Sequence, residues 1–143
     1  MEEIYVVYWS QSGNTKAMAD AIGDGIIKAG KDAVIVDVSK VEIEKLKSAK
    51  AFAMGCPAMG SEVLEESEME PFVEMVESFV SGKTIALFGS YGWGDGQWMR
   101  DWTDRMEDAG AKVANGEGLI CQDAPDDTTL SECVEAGMHL AKI

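Results

Sequence analysis

Apolar runs rich in β-branched residues alternate along this chain with stretches whose apolar residues recur every three or four positions, the pattern of βαβ units laid on a parallel sheet. Ile4–Tyr8 reads as the first strand. Met18, Ile22, Ile26 and Ala29 then share one face of a helix over about Asn14–Ala29, which Gly30 closes. A second strand, Ala33–Val38, leads through a short helix near Ile43–Ala49 to Ala51–Cys56, a continuous apolar run of the kind buried on both faces. Ser67 and Glu70 sit at capping-box spacing ahead of the stripe Phe72, Val73, Val76, Phe79 and Val80, which predicts a third helix. Thr84–Gly89 is the fourth strand. Asp95 is placed to cap a fourth helix from about Gly96, with Trp98, Trp102 and Met106 at four-residue steps. The fifth strand lies within Ala111–Cys121. Pro125 breaks the chain, and Thr129 with Glu132 suits a capping box ahead of a last helix reaching about Ala141.

Five strands and five helices with no linker, repeat or low-complexity stretch predict one α/β domain over residues 1–143, a doubly wound parallel sheet with helices on both faces. Periodicity leaves the strand order open. If the order is 2-1-3-4-5, the winding reverses between strands one and three, and a ligand belongs at the carboxyl ends of strands one, three and four. The loops at those ends are the unusual ones. After strand one comes Ser10-Gln11-Ser12-Gly13-Asn14-Thr15, running straight into a helix, where free backbone N–H groups and the helix dipole favour a phosphate. The loop matches neither the Walker pattern nor the three-glycine dinucleotide fingerprint, which argues against nucleoside triphosphates and NAD and suits a terminal monophosphate held by neutral donors. After strand three comes Cys56-Pro57-Ala58-Met59-Gly60-Ser61-Glu62, and after strand four Ser90-Tyr91-Gly92-Trp93-Gly94-Asp95. A tryptophan between glycines has few neighbours to bury it and asks for a flat partner, and Met59 offers a soft, polarizable second face. A planar ring between Met59 and Trp93, with its phosphate tail at Ser10–Thr15, describes flavin mononucleotide (FMN).

Charge narrows the partners. Twelve basic residues against 26 acidic ones give a formal charge of -14, which repels nucleic acids and anionic membrane surfaces and complements basic redox proteins. No apolar stretch approaches the length of a membrane helix or signal sequence, so the expected address is the cytoplasm; a monomer is the expected state. Cys56, Cys121 and Cys133 contain no Cys-x-x-Cys pair, and His139 is the single histidine. Disulfide scaffolds, metal sites and His-based catalytic triads are therefore not expected, and the chemistry must come from something bound.

The stretches Tyr8-Trp9-Ser10, Ser12-Gly13-Asn14-Thr15, Cys56-Pro57-Ala58-Met59-Gly60 and Phe88-Gly89-Ser90-Tyr91-Gly92-Trp93-Gly94 together resemble the flavodoxins of the short-chain clostridial type, over essentially the whole length. The resemblance implies the sheet order 2-1-3-4-5, one non-covalent FMN, and a role as an electron carrier between redox enzymes rather than as an enzyme. By position it implies phosphate contacts from Ser10 to Thr15, the inner flavin face against Met59 in the Pro57–Gly60 loop, and the outer face against Trp93 in the Tyr91–Gly94 loop. Edge contacts would come from Gly60, Ser61, Glu62, Ser90 and Gly92. Gln11 stands where such loops often carry glycine.

Carrying single electrons requires an acceptor for the hydrogen gained at flavin N5, and the Gly60 carbonyl is placed to supply it, since glycine lets the Gly60–Ser61 peptide turn. Glu62, Glu65, Glu66, Glu68, Glu70, Asp95 and Asp101 surround the ring-facing loops with negative charge, which penalises a second electron and predicts a strongly reducing couple. Of these, Glu65, Glu66 and Glu68 read as a solvated face, and Glu62 as a group for the flavin N3 or O2 edge. The rival reading is an FMN-dependent reductase of a small substrate on the same fold. It needs a substrate pocket and a nicotinamide route, for which so short a chain, with Trp93 over the ring, leaves little room. A phosphoacceptor domain would need aspartates at the ends of strands one and three, where none stands.

Overall fold

The computed structural model describes residues 2–143. Strands β1 (Glu3–Tyr8), β2 (Asp32–Asp37), β3 (Ala51–Gly55), β4 (Thr84–Tyr91), β5 (Lys112–Val113) and β6 (Leu119–Gln122) form one parallel sheet of order β2-β1-β3-β4-β5, with β6 also paired to β4. The helices are α1 (Asn14–Lys28), α2 (Ile43–Ser48), α3 (Met69–Glu77), α4 (Gln97–Asp108) and α5 (Asp127–Ala141), with single 3-10 turns at Val38–Lys40 and Ala114–Gly116. The order implied by the resemblance is present, and the carboxyl ends of β1, β3 and β4 lie side by side.

The single fifth strand expected within Ala111–Cys121 is two pieces. The 3-10 turn at Ala114–Gly116 interrupts it, so β5 pairs with the start of β4 and β6 with its end. The second piece extends β4 beyond the expected Gly89, through the pairs Ser90 with Cys121 and Tyr91 with Gln122.

Alternation along the central strands sends residues to two separate cores. Tyr5, Val7, Phe52, Met54, Ile85 and Leu87 meet α3 and α4 through Phe72, Val73, Trp98, Trp102 and Met106. On the other face Ile4, Val6, Ala51, Ala53, Ala86 and Phe88 meet α1 and α5 through Met18, Ile22, Ile26 and Leu140. Small residues let these two helices approach closely: a Cβ on Gly25 would lie 1.9 Å from the Val134 carbonyl oxygen, and one on Gly137 2.0 Å from that of Ile22. Helix α1 ends as the sequence reads, with Lys31 N–H bonded to the Ile26 carbonyl at 3.2 Å and Gly30 at φ 93°.

The predicted starts of the later helices need correction. Ser67 and Glu70 do not form a capping box: the Glu65 carboxylate takes the N–H groups of Ser67, Glu68 and Met69 at 2.8, 2.7 and 3.0 Å, while Glu70 pairs with Arg105. Thr129 is the donor in its cap, to Asp126 at 2.8 Å. Asp95 turns to Arg100, and the carboxylate at the start of α4 is Glu62, from a different loop.

Candidate functional site

At the end of β1, the chain leaves the sheet with Trp9 N–H bonded to the Gly55 carbonyl at 3.0 Å, then turns through Ser10–Gly13 into α1. Gly13 N–H and Lys16 N–H both point at Ser10 Oγ, at 3.2 and 3.3 Å, and Asn14 N–H reaches Ser12 Oγ at 3.5 Å. Donors at the start of the helix thus converge on hydroxyl oxygens of the exposed loop. No acidic side chain lies in the first turn of α1, and Lys16 Nζ is drawn away to Asp20 at 3.0 Å. A phosphate is the group this arrangement fits: an acceptor for several N–H groups and hydroxyls that needs no cation beside it. Gln11 is exposed and does not adopt positive φ, so a side chain there imposes no backbone strain.

Interloop hydrogen bonds bring the three sequence-marked segments together. Thr15 Oγ1, fully buried, lies 3.4 Å from both the backbone nitrogen and Oγ of Ser90, tying the first loop to the end of β4. Ala58 N–H donates to the Ser90 carbonyl at 3.1 Å, tying the β3 loop to the same residue. Met59 and Val63 exchange two backbone hydrogen bonds of 2.9 Å, closing Gly60-Ser61-Glu62 as a tight bend. Within it Gly60 has φ 48° and Glu62 φ 58°. A left-handed glutamate carries a backbone cost of about 1–3 kcal/mol. Its side chain offsets that cost: Oε1 accepts the N–H groups of Asp95, Gly96 and Gln97 at 3.2, 3.3 and 3.3 Å, the free donors where α4 begins. The Oε2 atom takes none of the three.

Met59, Pro57 and Ala58 are half-buried, Gly60, Ser61, Gly92 and Gly94 exposed, and Tyr91 half-buried at the root of the Trp93 loop. Trp93 itself is 63% exposed, a large aromatic surface open to a planar partner. That is the cover a flat ring requires. The site is an open shelf: a cavity of about 520 Å³ lies elsewhere, between α5 and Glu117–Ile120, and none of the loop residues lines it.

Sequence reasoning missed a fourth segment. Gln122 Nε2 donates to the Gly92 carbonyl at 3.4 Å and Asp123 N–H to that of Tyr91 at 2.8 Å, so the end of β6 braces the Trp93 loop. The signal was the Gln-Asp-Ala-Pro turn, which marks a loop but not the neighbour it packs against. Glu65 also reads differently in three dimensions. It is buried, not part of a solvated face; burial pushes its carboxyl up, but hydrogen bonds from the Ser67 hydroxyl and three backbone N–H groups outweigh this and hold it at about 2. Burial pushes the Cys56 thiol, at the foot of the β3 loop, up to about 12, which makes it a packed apolar group rather than a thiolate. Among the described residues no three His, Cys, Asp or Glu side chains are placed to hold a metal ion.

These features define a doubly wound α/β domain whose three unusual loops meet at the switch point of the sheet. The flavodoxin family profile matches residues 6–137. A flavodoxin of Clostridium beijerinckii is 50% identical over 138 residues, covering 96% of this chain and 99% of that one. A flavodoxin of Megasphaera elsdenii is 42% identical over 97% of this chain and 98% of its own length, and its two-electron reduced solution structure superposes with a TM-score of 0.86. An archaeal flavodoxin structure, 35% identical, also gives 0.86 over 98% of this chain and 96% of its own. The chain belongs to the flavodoxin family, FMN-binding proteins that transfer electrons and are not enzymes.

Proposed function

We propose that residues 1–143 form one FMN-binding domain working as a low-potential, one-electron carrier. One observation carries the assignment of its site: the start of α1 presents converging N–H groups and hydroxyls with no carboxylate, and its Thr15 is hydrogen-bonded to Ser90 at the root of the loop that carries the exposed Trp93. Ser10, Gln11, Ser12, Gly13, Asn14 and Thr15 hold the phosphate. Met59, in the loop with Pro57 and Ala58, would lie against one flavin face and Trp93, between Tyr91 and Gly94 in its loop, against the other, while Gly60, Ser61, Glu62, Ser90 and Gly92 would meet its edge. When bound, FMN supplies the reversible uptake of single electrons.

The protein's own groups set how easily that uptake occurs. Gly60 has φ 48° and no Cβ, so the Gly60–Ser61 peptide has backbone conformations closed to other residues, and its carbonyl would be the acceptor for a hydrogen at N5 when FMN is bound. Glu62 stands beside the shelf with no salt-bridge partner among the described residues, whereas Asp95 is paired with Arg100; the Glu62 charge opposes added negative charge and supports a low potential. The charge of the chain is also uneven along the strands. Lys31, Lys50, Lys83 and Lys112 gather where β2, β3, β4 and β5 begin, at the end opposite the shelf. A basic patch on a redox partner would thus be drawn to the acidic shelf end, with an association rate that falls as salt rises. No helix of the described residues is long and apolar enough to cross a membrane.

The test is a redox titration of the FMN-loaded protein followed by visible spectra. The expected result is two resolved one-electron steps, the second strongly reducing. An apoprotein that takes up no FMN, or a single two-electron step, rejects the proposal.

A further inference from the structure

We propose that Trp98, outside all three ligand loops, is a positioning residue that fixes the roots of both ring-facing loops at once; this rests on reading Met59 and Trp93 as the two faces of the flavin site. Trp98 lies in the first turn of α4 and is 2% exposed. Its indole Nε1–H donates to the Cys56 carbonyl at 3.1 Å. That carbonyl belongs to the peptide bond entering Pro57, a residue with a locked φ and no N–H of its own, so the plane of this peptide sets the direction in which the chain runs to Met59. The same indole also serves the other loop. Its ring packs against Tyr91 with centroids 5.6 Å apart and planes inclined at 53°, and Tyr91 is two residues before Trp93.

The space between the two loop roots is closed by Gly89. A Cβ there would lie 2.2 Å from the Cys56 carbonyl oxygen and 3.2 Å from Trp98 Cζ2. The β4 backbone, the Cys56 carbonyl and the indole therefore meet with no slack, and a shift of the indole moves both roots. One turn further along α4, Trp102 provides the internal contrast. It is as deeply buried, but its Nε1 has no hydrogen-bond partner among the described residues. Two indoles fill one helix face, and only the first is bonded to a ligand loop.

The experiment compares Trp98→Phe with Trp102→Phe. For each, urea unfolding of the apoprotein, the Kd for FMN by fluorescence titration, and the two one-electron midpoint potentials are measured. Trp98→Phe is expected to weaken FMN binding about 5- to 10-fold, the effect of losing one buried hydrogen bond, and to change the separation of the two potentials. Trp102→Phe is expected to lower apoprotein stability while leaving FMN affinity and potentials as in the wild type. If Trp98→Phe binds FMN within about twofold of the wild type with unchanged potentials, or if Trp102→Phe weakens binding equally, the proposal is overturned. Should Trp98→Phe not fold, hydrogen exchange of the indole N–H groups in the wild-type protein decides: saturating FMN should slow exchange at Trp98 at least about tenfold more than at Trp102, and equal slowing overturns the proposal. A wild-type apoprotein that binds no FMN would remove the functional reading beneath it, whereas the variant results remove this proposal alone.

Discussion

Helix α1 and helices α3, α4 and α5 begin in opposite ways. At α3 the Glu65 carboxylate collects three backbone N–H groups, at α4 Glu62 collects three, and at α5 Asp126 takes that of Thr129. At α1 the acceptors are the hydroxyls of Ser10 and Ser12. A chain with 26 acidic residues has placed none of them in the first turn of α1. A helix start is electropositive whichever acceptor it meets, so a carboxylate there would satisfy the donors permanently. Weak neutral acceptors leave them available for a phosphate. The difference between the carboxylate caps and the proposed phosphate site is thus the charge of the side chain left out.

The largest expected effect tests the open helix start directly. FMN at about a thousand times its Kd should stabilise the apoprotein by about 4 kcal/mol, read as an upward shift in Tm, and the gain should vanish when the cofactor is removed. Ser12→Asp would give α1 the kind of start its neighbours have. FMN affinity should then fall about 100-fold through repulsion of the phosphate, with the apoprotein no less stable in urea; unchanged affinity would break the contrast.

Glu65→Gln tests the other side. Removing the charge from a buried acceptor of four donors should cost about 2 kcal/mol in urea unfolding. Because the folded-state pKa of about 2 lies below the unfolded value, Glu65 contributes its full stability above about pH 4.3 and loses it as pH falls toward 2. The gap between wild type and variant should therefore be widest near neutrality and close across that window. The smallest effect is expected at the bend that carries Glu62. Gly60→Ala meets no neighbouring atom but must hold φ 48°, so it should cost about 1 kcal/mol and shift the one-electron potentials measured by potentiometry.

The sequence carried most of the architecture, because a parallel sheet buried on both faces needs continuous apolar strands and each helix needs one apolar stripe. The three converging loops were legible for the same reason: they stand at strand ends and contain residues that serve neither pattern. What was not legible is pairing across distance. The caps of α3 and α5 were misplaced by a few residues, since Ser67 and Thr129 fit a local motif while Glu65 and Asp126 actually hold the donors. The cap of α4 was beyond local reading, because Glu62 and Gln97 are separated by 35 residues and meet only after both loops have folded. The break in the fifth strand had a turn signal in Asn115-Gly116, but its place depends on how far β4 extends.

The close approach of α1 and α5 at Gly25 and Gly137 bears on how the molecule is made. The helix that follows the proposed phosphate cradle is synthesised early, and the helix it packs against emerges roughly a hundred residues later. On the ribosome the cradle therefore waits on an unfinished layer. If those residues hold the cofactor as proposed, its capture would be a late event of biogenesis, set by when the chain completes that layer rather than by when the binding residues appear.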